Sequence, residues 1–356
     1  MRFSLFYEMQ ISNPTPETER KLFHDCVKQV VLADEVGFDG IWAVEHHGLR
    51  EYAHSSAPEI FLSYVAAKTH QIKIGHGVTL LPGRYNHPIR IAERIATLDI
   101  LSEGRVQWGT GKSSSRVEQG AFELDPSELD SQWLEALKMI PKMWCNDVFE
   151  WQGHHYHIPP TQIVPKPVQI PHPPVFAAAS RPELSVAIGE LGLGALNLAI
   201  YHDEELAKGV RAYREAIKNA KPITETITNR FCCNPAALVL KDDKKAARFG
   251  LGGAQFFLRA MMNYYRTEKR PIGPLHAPRE FPSEKQVDAF MRARNTSGSQ
   301  LSSVIGDPIS ARESVQRFKD AGVDELILVM QTGIQSHEII MESIRTMAEE
   351  VIPHFK

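Results

Sequence analysis

The sequence predicts a (β/α)8 TIM barrel, and two observations carry this prediction. Eight short apolar runs recur along the 356 residues, with amphipathic stretches of helical period between them. Most of the runs are almost continuously apolar, which is typical of strands covered on both faces in a parallel sheet. Eight strands that alternate with helices favour a closed barrel, and a doubly wound open sheet is the alternative.

The elements follow from the pattern in chain order. The apolar runs predict strands at residues 3–7, 40–44, 72–81, 105–111, 175–180, 194–200, 236–240 and 325–330. Between the first two strands, Leu22, Cys26 and Val30 recur every four residues and predict the buried face of a helix. Near the end of the chain, Asp307 followed by Pro308 predicts the N-cap and first turn of the helix that precedes the last strand.

A single domain is expected over residues 1–356, because a chain of this length with 43% hydrophobic residues can bury one large core. Two insertions interrupt the regular spacing. A proline- and aromatic-rich hairpin with the turn WQGHHY is predicted at about 145–173, and a polar segment at about 266–303. Loops that follow strands lie on the catalytic face of a barrel, so the second insertion is either a lid or a solvated loop.

Charge and cysteine content bound the partners. The net charge of -3, with both signs interspersed, gives no electrostatic reason to expect nucleic acid or an anionic membrane surface, so the ligand is expected to be small. The four cysteines form neither a CxxC pair nor a disulfide framework and are expected to be buried thiols.

The N-terminus MRFSLFYEMQ lacks a signal-peptide pattern, and no run approaches the roughly 18 apolar residues of a membrane span. We therefore expect a cytoplasmic protein.

The stretch VEHHG at residues 44–48 carries two adjacent histidines. Neighbouring residues of a strand point to opposite faces, so His46 and His47 cannot easily bind one metal ion, and no HxH or HExxH pattern is present. No metal site is predicted. The sequence also lacks GxSxG, GxxxxGK[ST] and GxGxxG motifs, which removes the usual signatures of serine hydrolases, P-loop proteins and dinucleotide folds.

Small residues at the strand ends are the remaining candidates for a binding site. Strand four ends in GTGKSSS, where Lys112 and the serines after it offer a charge and hydroxyls suited to a phosphate. Strand five ends in AAASRPE, just before a helix whose N-terminal amides favour an anion. Strand three, IGHGVTLLP, contains glycines that would let a flat ring meet the backbone.

These stretches together resemble the bacterial luciferase-like family of flavin-dependent monooxygenases, which use a (β/α)8 barrel. The resemblance covers most of the chain and rests on four segments: GFDGIWAVEHH, IKIGHGVTLLPGRYNHPIRIAERIATLDILSEGRVQWGTGKS, PKPVQIPHPPVFAAAS, and VIGDP with AGVDELILVM. The signature within the second segment reads as structural, because it spans a helix, a turn and the start of the next strand; its members are Arg90, Glu93, Asp99, Ser102, Gly104 and Arg105.

The resemblance implies roles for particular residues. His46 matches the family's active-site histidine, and His47 is left as a supporting group. The residues implied to bind the flavin are Gly77 and Val78, joined in the family by a cis peptide under the ring, with His87, Gly111, Lys112, Ala179 and Ser180. Luciferase has a cysteine at the position of Gly111 and a glutamate at that of Ala178, so light emission is not predicted.

The implied activity is that of an FMN-dependent monooxygenase. Reduced FMN (FMNH2), supplied by a separate NAD(P)H:flavin reductase, would react with O2 to give a C4a-peroxyflavin that oxygenates a small organic substrate. His46 would be the acid/base group, since an imidazole titrates near neutral pH. A homodimer is also implied. The alternatives are an oxidoreductase of the same fold that uses a deazaflavin coenzyme, a non-catalytic flavin-binding protein and, last, a metal-dependent barrel hydrolase.

Overall fold

The computed structural model describes residues 1–179, 182–198, 201–265, 280–294, 296 and 300–356. Its strands are, in chain order, β1 (Arg2–Tyr7), β2 (Gly40–Ala43), β3 (Lys73–Leu80), β4 (Val106–Gly111), β5 (Phe149–Gln152), β6 (His157–Thr161), β7 (Val175–Ala179), β8 (Gly194–Leu198), β9 (Tyr201–His202), β10 (Phe231–Asn234), β11 (Ala236–Val239), β12 (Gln300–Leu301), β13 (Ser303–Gly306) and β14 (Glu325–Leu328).

The helices surround these strands. They are α1 (Pro16–Glu35), α2 (Pro58–Ala66), α3 (Pro88–Leu101), α4 (Arg116–Ala121), α5 (Leu129–Cys145), α6 (Pro182–Glu190), α7 (Asp203–Lys218), α8 (Asp243–Tyr265), α9 (Glu284–Ala293), α10 (Pro308–Asp320) and α11 (His337–Thr346), followed by a π-helical turn (Met347–Val351) and a 3-10 turn (Ile352–His354). Within the described ranges, every helix is too short or too polar to cross a lipid bilayer.

Eight of the strands close into a barrel in the order β1-β14-β10-β8-β7-β4-β3-β2. Each strand pairs with its neighbours in parallel, and β1 closes the sheet by pairing with β14 on one side and β2 on the other. The predicted (β/α)8 barrel is confirmed. The open sheet is wrong, because the first and last strands are joined.

One predicted barrel strand is wrong. Residues 236–240 were expected to form the seventh strand, but the barrel position belongs to β10, which pairs with β8 and β14. Strand β11 instead pairs with β13 in a separate two-stranded parallel sheet. Leu238 of β11 and Leu240, just after the strand, are buried in a small cluster with Ala246 of α8 rather than in the barrel.

The two insertions differ in their outcome. Strands β5 and β6 pair antiparallel and form the predicted hairpin within residues 145–173. The segment at 266–303 is not a continuous polar loop, because it contains α9; residues 266–279, 295 and 297–299 lie outside the described part of the chain. Asp307 caps α10 as predicted, since its side chain accepts a hydrogen bond from the backbone N–H of Ser310 at 2.9 Å.

Alternation along the strands divides the core into two layers. Phe3, Leu5 and Ile41 belong to the layer between barrel and helices. Phe6 and Trp42 belong to a second cluster inside the barrel, which also contains Phe256, Phe257, Ala260 and Tyr264 of α8. Helix α8 therefore packs against the barrel interior and covers part of its mouth.

A buried carboxylate fills the amino end of the barrel interior. Glu325, 1% exposed, accepts hydrogen bonds from Ser4 Oγ at 2.6 Å and Trp42 Nε1 at 3.0 Å. Arg230 Nη1 donates to its other oxygen at 3.1 Å and also contacts Gln107. Four strands thus contribute to one polar network beneath the apolar cluster.

Two residues of the signature around residues 90–105, Asp99 and Arg105, connect neighbouring elements of the fold. Asp99 accepts hydrogen bonds from the backbone N–H groups of Val168 and Gln169 at 2.9 and 3.0 Å, which ties α3 to the segment before β7. Arg105 donates to the carbonyls of Ala66 and Ser102, both at 2.7 Å. These contacts support the structural interpretation of both residues.

Of the four cysteines, Cys145 is exposed rather than buried, and the other three are buried.

Candidate functional site

Three ionisable side chains meet at the carboxyl end of the barrel. His46 lies three residues beyond β2, Glu8 immediately follows β1, and Glu118 is carried by α4, which follows β4. The loops at this end of a (β/α)8 barrel carry the active site in essentially all characterised enzymes of the fold. The three residues are therefore where catalytic groups are expected.

The chain around His46 is shaped by a turn rather than a strand, since β2 ends at Ala43. Gly48 adopts φ 69°, a left-handed conformation that favours glycine, and the chain turns back after it. Ser55 then bridges the returning segment: its carbonyl accepts from the His46 N–H at 3.0 Å, and its hydroxyl donates to the Val44 carbonyl at 2.7 Å. The imidazole is thereby held at the mouth of the barrel.

His46 is paired with a buried carboxylate. Its Nδ1 lies 3.0 Å from Oε1 of Glu118, which is 0% exposed. The same oxygen accepts the backbone N–H of His47 at 2.8 Å, and the other oxygen accepts the hydroxyl of Ser113 at 3.0 Å. The carboxylate is thus fully hydrogen-bonded and orients the imidazole.

The electrostatics of the pair favour its charged form. Burial alone would lower the pKa of His46, but the carboxylates of Glu118 and Glu8 outweigh it and raise the pKa to about 9. Burial opposes ionisation of Glu118, yet the charge and hydrogen bond of His46 bring its pKa below the usual value. At neutral pH the site therefore holds an imidazolium beside a carboxylate.

A second carboxyl group faces the other side of the imidazole. Oε2 of Glu8 lies 3.8 Å from His46 Nε2, and Oε1 accepts the hydroxyl of Tyr52 at 2.7 Å. Burial raises the pKa of Glu8 to about 7, against the lowering effect of His46 and Tyr52. This carboxyl group titrates in the neutral range.

Helix α8 closes the site with its last two residues. The hydroxyl of Tyr265 lies 3.4 Å from His46 Nε2. The hydroxyl of Tyr264 donates to Oε2 of Glu51 at 2.9 Å and fixes the end of the helix to the segment after His46. The site is therefore bounded by elements from both halves of the chain.

His47 contacts aromatic rings and the carboxylate of Glu45, and its role as a supporting group stays a prediction. Its ring packs against those of Tyr85 and Phe122, with centroids at 5.7 and 4.8 Å, and its Nε2 is 3.3 Å from Oε1 of Glu45. The second oxygen of Glu45 accepts the backbone N–H of Leu80 at 2.8 Å. These contacts join the segment after β2 to the end of β3.

The glycines predicted to admit a ligand also make room for a neighbouring strand. The Gly77–Val78 peptide is cis, as the resemblance implies, and the side chain of Val78 lies over β4. A Cβ atom on Gly111 would come within 2.4 Å of Val78 Cγ2, and one on Gly109 within 2.2 Å of the His76 carbonyl. The side chain of Val78 itself remains partly exposed to solvent. His76 is buried, and burial lowers its pKa to about 4, so its ring is neutral.

The other predicted site residues are more scattered. Lys112 follows β4 and pairs with Asp130, and Ala179 is the buried last residue of β7. His87 is exposed, and its Nδ1 accepts the backbone N–H of Ile89 at 3.3 Å as the cap of α3. Ser180 lies outside the described residues. The structure thus brings Gly77, Val78 and Gly111 together, with Gly111 buried beneath Val78, whereas His87 has a capping contact at the start of α3.

Sequence reasoning did not identify Glu8, Glu118 or Tyr265. Glu8 had a usable signal, because it is an acidic residue directly after a buried strand. Glu118 and Tyr265 had no usable signal in the sequence, since both belong to helices. They are separated from His46 by 72 and 219 positions, respectively.

Comparison with known proteins identifies the family. The sequence profile described as luciferase-like monooxygenase matches residues 1–325. The chain is 27% identical to the oxygenase component of the flavin-dependent trigonelline monooxygenase of Acinetobacter baylyi, over 100% of this chain and 96% of that protein. It is 24% identical to the F420-dependent glucose-6-phosphate dehydrogenase of Amycolatopsis mediterranei, over 85% and 87% of the two chains.

A solved structure shares the fold over the whole length. The crystal structure of monooxygenase RslO1 from Streptomyces bottropensis superimposes with a TM-score of 0.84, at 22% identity and with 100% of both chains covered. The overall fold is therefore common to both proteins. The family profile also matches most of the sequence of this chain. The chain therefore belongs to the luciferase-like monooxygenase family and is an oxidoreductase of the oxygen-incorporating class.

Proposed function

We propose that the protein is the oxygenase of a two-component flavin monooxygenase. It would use O2 and reduced FMN, delivered by a separate NAD(P)H:flavin reductase, to oxygenate a small organic substrate. The observation that carries the proposal is the buried His46–Glu118 pair at the carboxyl end of a luciferase-like barrel. The full-length similarity to an oxygenase component that is flavin-dependent supports both the coenzyme and the separate reductase.

The described residues fit a flavin. Val78 offers a partly exposed apolar contact above Gly109 and Gly111, where no side chain projects, and such a surface suits a flat ring. Lys112, 44% exposed after β4, supplies a positive charge for a phosphate. Asn234, the last residue of β10, has a buried Oδ1 that lacks a hydrogen-bond partner among the described residues. We assign ring contact to Val78 and phosphate contact to Lys112.

The chain's own residues have three tasks in this reaction. Reduced FMN, when bound, supplies the electrons that activate O2. His46 holds a proton at Nε2, the ring nitrogen that Glu118 leaves free, and donates it to the reacting oxygen. Val78 orients the ring, and the aromatic residues of α8, with Phe256 and Tyr264 buried, exclude water from the mouth of the barrel.

The coenzyme is tested by anaerobic titration of the purified protein with reduced FMN and with the reduced deazaflavin coenzyme F420. We expect saturable binding of reduced FMN and weaker binding of F420. When a reductase and NAD(P)H are then added with oxygen, the FMN complex should consume O2 in a substrate-dependent manner. The similarity to an F420-dependent dehydrogenase makes the second coenzyme the relevant comparison.

Two outcomes would contradict the proposal. Preferential binding of F420 would favour the deazaflavin oxidoreductase. Tight binding of FMN without substrate-dependent oxygen consumption, across aldehyde, amine, sulfide and ketone probes, would favour a flavin-binding protein without catalysis.

The pH dependence tests the role of Glu118. If protonated His46 is the donor, the oxygenation rate should fall as the pH rises through about 9, the pKa of its imidazole. Glu118→Gln removes the negative charge that stabilises the imidazolium, so the pKa and this alkaline limit should both move down by about 1–3 units. The measurement is kcat against pH at saturating reduced FMN.

The matched control is Glu123→Gln, which neutralises an exposed glutamate that pairs with Arg84. This variant should keep the wild-type alkaline limit, because exposed charges are screened by solvent. An unchanged limit in Glu118→Gln, with the fold intact by circular dichroism, would show that the ion pair does not govern the reaction.

The assembly stays a prediction. We propose a homodimer formed through helices near the second and third strands, and exposed apolar residues support it. Ile60 and Tyr64 of α2 are 70% and 51% exposed, and Leu101 of α3 is 62% exposed. Apolar side chains at such exposure on neighbouring helices are typical of surfaces that pair.

A further inference from the structure

The carboxyl group of Glu8 has no task in the reaction described so far. It is 3% exposed, and only Oε1 has a hydrogen bond, from Tyr52. Oε2 has no hydrogen-bond partner in the described part of the chain. A buried carboxylate oxygen without a partner is costly, so this group needs either a proton or a nearby cation.

The cation is the imidazole of His46, approached from its free edge. Glu118 occupies Nδ1, which leaves Nε2 to face Oε2 of Glu8 at 3.8 Å and the hydroxyl of Tyr265 at 3.4 Å. A shift of roughly 1 Å would bring the two atoms to hydrogen-bond distance. The nitrogen that would serve the reacting oxygen is therefore also the one that Glu8 can reach.

We propose that Glu8 is the proton reserve of this site: its buried carboxyl group returns a proton to His46 Nε2 after the imidazole has donated one to the reacting oxygen. This inference rests on the proposed role of His46 as the proton donor. It adds the residue that protonates His46 again between turnovers. Tyr52 positions the carboxyl group by holding Oε1.

The proton balance is simple. In the first step the Nε2–H bond of His46 breaks and an O–H bond forms on the reacting oxygen, which leaves a neutral imidazole. In the second step the Oε2–H bond of Glu8 breaks and the Nε2–H bond re-forms, which leaves a Glu8 carboxylate beside an imidazolium. Solvent then protonates Glu8. No oxidant or reductant takes part in either step.

The surroundings place this exchange in the neutral range. The titratable groups that face Glu8 are His46, Tyr52, Glu118 of α4 and Tyr265 of α8. Their balance with burial raises the pKa of Glu8 to about 7, so near neutrality the carboxyl group is present in both forms. It can therefore release and regain a proton without a large pH change.

The first test needs no coenzyme. The imidazole of His46 is followed by NMR against pH in protein labelled at histidine, and the signal is assigned with His46→Asn. We expect an inflection near pH 7 from Glu8 and the main titration near pH 9. In Glu8→Gln the lower inflection should vanish, and the main titration should move to lower pH because one neighbouring negative charge is lost.

The second test separates proton donation by His46 from the later reprotonation of His46 by Glu8. In Glu8→Gln, a single turnover started from the protonated enzyme should run at close to the wild-type rate, whereas steady-state kcat should fall by about tenfold or more. A residue that merely supports the fold would lower both rates together. A steady-state kcat in Glu8→Gln equal to that of the wild type would overturn the proposal.

A second variant keeps the test informative if Glu8→Gln does not fold. Tyr52→Phe removes the hydrogen bond that lowers the pKa of Glu8, so the lower inflection should move up by roughly one pH unit. An unmoved inflection would show that Glu8 is not its source. Because the titration uses protein without coenzyme, it can succeed even if reduced FMN fails to bind, and the two proposals are tested separately.

Discussion

Replacing His46 by alanine is expected to lower the substrate-dependent oxygenation rate by about 10²–10⁴-fold, the usual contribution of a positioned acid/base group. The variant loses the proton at Nε2 and leaves Glu118 buried without its cation. Binding of reduced FMN should change little, because Val78 and Lys112 keep their positions at β3 and β4. The measurements are kcat in a reductase-coupled assay and the dissociation constant of reduced FMN.

The control for this variant is His154→Ala, in the exposed turn of the β5–β6 hairpin. It removes an exposed imidazole of the same size and should retain the wild-type rate. If His46→Ala binds reduced FMN normally and also oxygenates at the wild-type rate, the assignment of His46 is wrong.

Replacing Glu325 by alanine should reduce the free energy of unfolding by about 3–5 kcal/mol, the range for breaking a buried ion pair from one side. The change leaves the guanidinium of Arg230 in the barrel interior without its carboxylate and removes the acceptor of Ser4 and Trp42. Denaturation in urea, followed by far-ultraviolet circular dichroism, measures the loss as a lower midpoint.

Two further variants isolate the cause of that loss. Glu215→Ala breaks a pair with Lys218 in which both side chains are 69% exposed, and it should change stability by less than about 0.5 kcal/mol. The double variant Glu325→Leu with Arg230→Met removes both charges and should be more stable than Glu325→Ala. A double variant as unstable as the sum of its single changes would contradict the buried-charge explanation.

The barrel could be predicted because burial on both faces leaves a direct mark on each strand. Seven of the eight predicted runs coincide with barrel strands. The seventh in chain order was wrong because the apolar part of β10 is only the three residues 231–233, followed by Asn234 and Pro235, whereas the five-residue apolar run 236–240 lies next to it. Both runs are buried, so apolarity alone does not distinguish a barrel strand from a strand packed outside it.

The site could be predicted only in part, because several of its residues are far from His46 in the sequence. The resemblance alone selected His46, because β2 ends at Ala43 and strand alternation does not extend to residue 46. Glu118 comes from a helix of six residues, which is too short for a periodic pattern. The glycines of β3 and β4 were interpreted as places for a ligand, yet part of their requirement is contact between the strands themselves.

The origin of the site's groups along the chain has a consequence for how such a protein can diversify. Glu8, His46 and Glu118 all follow strands of the first half-barrel, whereas Tyr265 and the other residues of α8 that cover part of the mouth belong to the second half. Exchange or drift of the second half can therefore reshape what enters the barrel while the acid/base groups are inherited unchanged. One set of proton-handling residues could in this way serve a succession of different substrates.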